Sequence, residues 1–271
     1  NLLDNAGGDG GAFPAGPPTA SRWLAFVNID STSGVSVSGG SFSSAGLNAG
    51  SRHQVTIEDS RFRRNRNGAI ALQAPNSALT RVRVDTTGNP TTTIAAIQLE
   101  DSVSLQDVDV FRSGQIGIYT VGKGITFNNV TVRGSMHVGI YIDGDNASGS
   151  QGLQLSGFVS DSNALGGVSI AAVFVQLNQC VVTRNGTLTT HHGITTVGTS
   201  IEQVGIFGCD LVDNAGFEVN NGQLVTQTFS INASSNWWGV NFIDPATPFS
   251  EGHISANVGT DGWCSASCSS P

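Results

Sequence analysis

A short phrase of alternating apolar and polar residues returns seven times along the chain. Apolar side chains occupy most of positions 0, 2, 5 and 7, and a polar pair occupies positions 3 and 4 in most copies. Successive copies start 22 to 29 residues apart, and the spacing of 22 occurs three times. A fixed period of this length is typical of solenoids, in which each repeat stacks on its neighbours. The copies start at Val55, Ser77, Val103, Ile125, Leu153, Val175 and Val204.

Each repeat predicts three short strands. Positions 0 and 2 alternate as in a strand with one buried face, and positions 5 and 7 do the same after a bend at the polar pair. A third strand opens on Gly or Ala, which in four copies lies 14 residues after the start. This pattern predicts an all-β solenoid, a parallel β-helix of about nine turns with repeats of about 22 residues. The openings are Ala69, Ala96, Gly117, Gly139, Gly167, Gly193 and Gly216.

The repeats resemble those of the right-handed parallel β-helix proteins of the pectate-lyase-like superfamily, including secreted bacterial surface proteins. The phrase from Ser235 to Gly239, followed by Asp244-Pro245, is similar to one that often closes the last turn. The resemblance implies a right-handed, single-stranded β-helix over 35–240, with a partial turn or cap over 1–34 and a cap over 241–271. Because this fold carries lyases, hydrolases, epimerases and adhesins, it implies no single activity.

The amino-acid composition restricts where the protein is expected to act and which classes of partner it is expected to bind. The formal net charge is −8 and charged residues make up 12% of the chain, which argues against a nucleic-acid partner. The sequence has no apolar run long enough for a membrane span. A surface rich in Ser and Thr with few charges favours an extracellular protein, secreted or at the cell surface.

Four cysteines form two pairs. Cys180 and Cys209 both occupy position 5 and should stack in the core of neighbouring turns. We interpret them as two buried thiols, with a disulfide between them as the alternative. Cys264 and Cys268 lie in a Ser-rich tail and predict a small disulfide loop, which fits an oxidising compartment. Without neighbouring histidines their spacing does not predict a metal site.

The two tyrosines of the chain predict an aromatic pair on the outer surface. Tyr119 and Tyr141 each lie two residues after the opening of a third strand, in adjacent turns, and the same rule places Glu218 outward in the last turn. A flat aromatic pair suits the apolar face of a sugar. The alternative is a cross-strand aromatic pair that binds no ligand.

Histidines and carboxylates provide weak catalytic candidates. His137 and His191 each lie two residues before a third-strand opening, and Asp143 and Asp145 follow the strand after His137. Imidazole and carboxyl groups support acid–base chemistry or glycoside hydrolysis. The segment from Asp143 to Asn146 also offers oxygen ligands for calcium. However, the motifs of polygalacturonases, alginate epimerases and pectate lyases are missing.

Arginines concentrate in the first clear repeats, where seven of eleven fall between Arg52 and Arg83. Arg61 and Arg83 share position 6 of adjacent turns, and Asp109 follows them in the next turn. One interpretation is a set of alternating charges that offset one another across turns. The other is a site for an acidic glycan, because guanidinium groups match carboxylates.

Together these features predict an extracellular β-helix with a structural, adhesive or glycan-contacting role. A polysaccharide-active lyase or hydrolase is the alternative. No cofactor is predicted, apart from calcium at Asp143 and Asp145. Because residues 1–34 lack an amphipathic helix to cover the first turn, the N-terminal end is expected to be covered either by upstream sequence or by a neighbouring subunit, in head-to-tail self-association into fibres.

Overall fold

The fold is described from a computed structural model. The predicted ligand residues Asp145 and Asn146, and most of the predicted caps over 1–34 and 241–271, lie outside the described residues. The residues that the structure describes are 26–28, 35–39, 41–43, 46–49, 54–65, 68–87, 95–100, 102–144, 153–172, 174–197, 203–222, 231–239, 254–255, 258–260, 264 and 267–268.

The described strands, numbered in chain order, form two sheets, and the chain passes from one to the other in every turn. The first sheet contains β1 (Phe26–Asn28), β4 (Gly46–Ala49), β7 (Ile70–Leu72), β9 (Ile97–Leu99), β11 (Ile118–Val121), β13 (Val138–Gly144), β15 (Gly166–Ala172), β17 (Ile194–Thr196) and β20 (Val219–Asn220). The second contains β2 (Val35–Ser38), β3 (Ser41–Ser43), β5 (Val55–Glu58), β6 (Arg61–Asn65), β8 (Ser77–Thr87), β10 (Val103–Ser113), β12 (Thr126–Arg133), β14 (Leu153–Asp161), β16 (Val175–Thr183), β18 (Val204–Phe207), β19 (Asp210–Val212), β21 (Ile231–Asn232) and β22 (Val258–Gly259).

Neighbouring strands in both sheets are parallel, which confirms the right-handed, single-stranded parallel β-helix. The number of turns was predicted too high: the structure supports about six rather than nine. Strands at the two ends, such as β1 and β22, belong to turns of which the structure describes only a part. The repeat length fixes how turns stack, but it does not fix how many are complete.

Two residues with left-handed backbone angles bend each repeated turn. The first bend, at position 4, is the one that the polar pair predicts. The sequence analysis missed the second, at position 9, because three of its seven residues are arginines, which are not typical of bends. All these φ values lie between +49° and +66°, at Asp59, Arg81, Asp107, Asn129, Gly157, Gln179 and Gly208, and at Arg64, Thr86, Arg112, Gly134, Ser162, Arg184 and Asp213.

The apolar positions of the repeat form the core, as predicted. In the turn that starts at Val103, the side chains of Val103, Leu105, Val108 and Val110 are at most 1% exposed. Equivalent residues pair in register between turns, so that Val108 lies between Val82 and Val130. The core is therefore a set of continuous apolar rows along the axis, and its stability comes from contacts between adjacent turns.

The two inner cysteines correct the prediction of free thiols. Cys180 and Cys209 are fully buried at position 5, and Cys180 pairs with Phe158, as the register predicts. However, the structure joins the two cysteines by a disulfide, with their Cα atoms 4.4 Å apart. Stacking at the same position of adjacent turns brings the two β-carbons close enough for this bond. Cys264 and Cys268 are also joined by a disulfide.

A row of polar side chains, all buried except the half-buried Asn214, occupies position 10, just after the second bend. Asn185 Oδ1 accepts hydrogen bonds from the backbone N–H and the Nδ2 of Asn163, at 3.0 and 2.9 Å. Asn214 Oδ1 accepts the same two bonds from Asn185, both at 3.0 Å. The amides of Asn185 and Asn214 therefore each satisfy two donors of the preceding turn at the corner between the sheets. The row contains Asn65, Thr87, Ser113, Ser135, Asn163, Asn185 and Asn214.

The strand register of the last complete turn shows that Glu218, which was predicted to point outward, is buried. Val219 pairs with Ile194, so Glu218 stands beside Gly193 and opens the third strand in place of Gly216. Glu218 therefore points inward and is 4% exposed, not outward as predicted. The spacing of 14 from Val204 leads to Glu218, whereas the residue type favours Gly216. In this turn the 14-residue spacing, and not the glycine two residues earlier, marks the start of the third strand.

Candidate functional site

The structure pairs the two predicted tyrosines on the outer face of the first sheet. Tyr119 and Tyr141 are neighbours in register, and their rings stack with centroids 5.7 Å apart and planes 20° apart. The Tyr119 hydroxyl donates a hydrogen bond of 2.6 Å to Asp143 Oδ2. Partial burial and then Asp143 raise the pKa of both phenols. Each ring turns one face to the other, which favours the cross-strand pair, and glycan binding here stays a prediction.

His137 and His191 lie in one column, with Leu165 in the turn between them. His137 is half-buried; desolvation and then the charge of His191 lower its pKa. His191 Nδ1 lies 3.4 Å from the hydroxyl of Thr187. Among the residues that the structure describes, no carboxylate forms an ion pair with either imidazole.

The predicted carboxylate partner lies far from the histidines. His137 precedes β13 and Asp143 lies near its end, so six residues of extended strand place them about 20 Å apart. Asp145 lies outside the described residues. Within the described part of the chain, no three His, Cys, Asp or Glu side chains come together as metal ligands. Calcium binding near Asp143 stays a prediction.

The arginines of the first repeats contact carboxylates in neighbouring turns. Arg81 binds Asp59 through two hydrogen bonds of 2.6 and 2.9 Å. Arg61 and Arg112 both approach Asp85, at 3.6 and 2.9 Å. Partial burial is the largest single influence on the pKa of Asp85 and raises it, but the hydrogen bonds from Arg112 and Thr86 together with the nearby arginine charges outweigh burial and lower this pKa. These contacts favour alternating charges that offset one another.

The second predicted glycan-binding arginine pairs in register with the first. Arg83 stands beside Arg61 in the preceding turn and beside Asp109 in the following one. The column therefore carries two positive charges followed by one negative charge. An acidic ligand that bound Arg61 would compete with Asp85, whose Oδ2 already lies 3.6 Å from Arg61 Nη2.

The outer face of the second sheet carries a groove that the sequence analysis did not predict. It has a volume of about 610 Å³ and crosses the turns that start at Leu153, Val175, Val204 and Ile231. Amide and aromatic side chains line it, including Gln154, Gln176, Gln203, Asn232, Phe174 and Phe207.

Strand register aligns these groove residues. Position 1 of the four turns forms a column of Gln154, Gln176, Gly205 and Asn232. Position 3 places Phe207 beside Asn178, whose Oδ1 accepts a 3.1 Å hydrogen bond from Gln176 Nε2. The repeat alone predicts these columns, but the insertions between repeats and the single glycine that shape the groove do not follow the period.

No protein-family model matches the chain, and neither does any curated protein. Assignment of a function therefore rests on the site itself. No helix in the described part of the chain is long and apolar enough to cross a membrane.

A buried carboxyl group at the end of the polar row was also missed. Glu218 Oε1 accepts a 3.3 Å hydrogen bond from the backbone N–H of Asn214, and Oε2 accepts one from Asn214 Nδ2. Burial raises the pKa of Glu218 to about 7, although the bonds from Asn214 act in the opposite direction. Strict use of the 14-residue spacing would have identified this inward position. Glu218 belongs to the interior and is not part of the groove.

Proposed function

We propose that the chain is an extracellular β-helix that contacts glycans in a structural or adhesive role and does not cleave them. The observation that carries this proposal is the outer face of the second sheet, where uncharged polar side chains repeat at positions 1 and 3. In the six turns from the one that starts at Val55 to the one that starts at Val175, two residues at these positions are not uncharged and polar. They are Glu58 and Ala78. The other residues at these positions are Thr56, Thr80, Ser104, Gln106, Thr126, Asn128, Gln154, Ser156, Gln176 and Asn178.

These columns suit a hydroxylated polymer. Adjacent strands in a sheet lie about 4.8 Å apart, so the same polar group returns at a short, regular step along the axis. Amides offer both donors and acceptors, and Ser and Thr hydroxyls do the same, which matches the mixed hydrogen bonding of sugar hydroxyls. Because the columns belong to paired strands, the backbone that carries these side chains is ordered before a ligand arrives, which lowers the ordering cost of binding.

The placement of the ionisable residues supports binding rather than catalysis. A lyase or hydrolase needs acid and base groups within reach of one bond. His137 and Asp143 lie about 20 Å apart along a strand, and Asp143 accepts a hydrogen bond from Tyr119. The disulfides at Cys180 and Cys264 suit an oxidising, extracellular location.

Two assays test this function together. The purified chain is expected to be retarded in native gels that contain a soluble polysaccharide, tested with neutral and with acidic polymers. The same polymers incubated with the chain are expected to release neither reducing ends nor unsaturated products. Unretarded migration in every gel would contradict glycan contact. Product release that disappears in His137→Ala or His191→Ala would establish an enzyme instead.

A further inference from the structure

The groove on the second sheet has the size and shape of a ligand site. Its volume of about 610 Å³ falls within the range of about 300–1,000 Å³ that is typical of small-molecule sites. It runs across four turns, so its length follows the axis of the β-helix. A ligand of several linked units fits this form better than a compact one.

Uncharged side chains line the groove. None of its ten described lining residues carries an ionisable group, although the whole chain has a net charge of −8. An acidic ligand would lose water here without meeting a cation, and this loss is costly. A nucleic acid would lack the Lys and Arg contacts that supply its affinity. Glutamine and asparagine amides, in contrast, bind neutral hydroxyl groups as donors and as acceptors.

The position of the Phe207 ring in the groove depends on Gly205. A β-carbon added to Gly205 would lie 2.5 Å from Cε2 and 3.0 Å from Cζ of Phe207, so the ring lies over the position that a side chain would occupy. The residues beside Gly205 in its column are Gln176 and Asn232. The ring therefore fills a gap between two amides, where a flat apolar surface is flanked by hydrogen-bonding groups. Phe174 adds a second aromatic side chain to the lining.

We propose that this groove binds a neutral oligosaccharide, with the apolar face of one sugar ring stacked on Phe207. Gln154, Gln176 and Asn232 bind hydroxyl groups of that sugar and of its neighbours. The proposal rests on the glycan-contacting function above and names its site and ligand class. It places the site on the second sheet, away from Tyr119 and Tyr141 on the first.

Isothermal titration with a panel of hexasaccharides tests the proposal. The neutral members are chains of glucose, mannose, galactose or xylose, and the acidic members are chains of galacturonate or mannuronate. At least one neutral member is expected to bind. Phe207→Ala should weaken it by about tenfold or more, since an aromatic contact contributes about 1 kcal/mol beyond its buried area. Gly205→Ala should weaken it comparably by displacing the ring.

Matched controls separate the groove from the rest of the surface. Phe111→Ala removes another partly exposed aromatic ring, and Gln73→Ala removes an exposed amide that follows β7 of the first sheet. Both should keep the wild-type affinity, while Gln176→Ala should reduce it. Circular dichroism of each variant checks that the β-helix is intact.

Each outcome of the titration bears on a different claim. Binding of a neutral hexasaccharide that Phe207→Ala and Gln176→Ala both leave unchanged would overturn the groove but keep the glycan-contacting function. Binding of acidic members alone would overturn the neutral ligand class. Binding of no member, together with no retardation by any polysaccharide, would overturn the proposed function itself.

Discussion

Replacement of Glu218 by glutamine is expected to change how the stability of the β-helix depends on pH. Burial raises the pKa of this carboxyl from its ordinary value of 4.5 to about 7 in the folded chain. Below pH 4.5 the group is protonated in both states and its contribution to stability is complete. Between pH 4.5 and 7 the unfolded chain releases the proton and the folded chain keeps it, so stability falls, and above pH 7 the contribution is lost.

The size of the effect follows from the two pKa values. The difference between 4.5 and about 7 corresponds to about 3 kcal/mol of unfolding free energy. Glutamine stays neutral and can still accept a hydrogen bond from Asn214. Glu218→Gln should therefore match the wild type near pH 4 and exceed it by about 3 kcal/mol near pH 8.5.

Urea unfolding at the two pH values, followed by tryptophan fluorescence, measures this difference. Glu58→Gln also removes one negative charge, from a partly exposed site, and controls for the change in net charge. Parallel pH dependence of the wild type and Glu218→Gln would refute the buried carboxyl, and with it the corrected register of the last turn.

The remaining predictions concern the core and its disulfide. Alkylation of the unfolded, unreduced chain should modify neither Cys180 nor Cys209, because both are held in a disulfide. Labelling of both residues would show that they are free thiols. Cys209→Ala removes the disulfide with Cys180 and so opens the loop that it closes. This change should lower the free energy of unfolding by about 3–4 kcal/mol, measured by urea unfolding. Asn185→Ala should cost about 2–4 kcal/mol, because it removes the acceptor of the buried backbone N–H of Asn163 and one of the acceptors of Asn163 Nδ2. Asn178→Ala on the outer face should cost less than about 0.5 kcal/mol.

The sequence predicted those features that depend on the period. Because each turn repeats the same apolar positions and parallel strands pair at a fixed distance, spacing alone placed Tyr119 beside Tyr141 and Cys180 beside Phe158. The same reasoning aligned Arg61 with Arg83. In a solenoid, residues that are far apart in sequence become neighbours by simple addition of the repeat length.

Features outside the period could not be predicted in this way. The groove depends on how Phe207 lies over Gly205, which is a matter of side-chain conformation at a single site. The second bend uses Arg64 and Arg112, whose residue type carries no turn signal. Residue type alone places Glu218 on the surface, because the glycine two residues before it is typical of a strand opening in the other turns.

Nitrogen–proton correlation spectra, recorded while a neutral hexasaccharide is added, test the central claim most directly. We predict that shifts concentrate at Gln154, Gln176 and Gly205 and at the ring-flanking Asn232, and that the amides of Tyr119 stay unchanged. The signals should move together and saturate at one affinity. Shifts confined to the first sheet around Tyr119, or no shifts at a concentration that saturates glycan binding, would contradict the account.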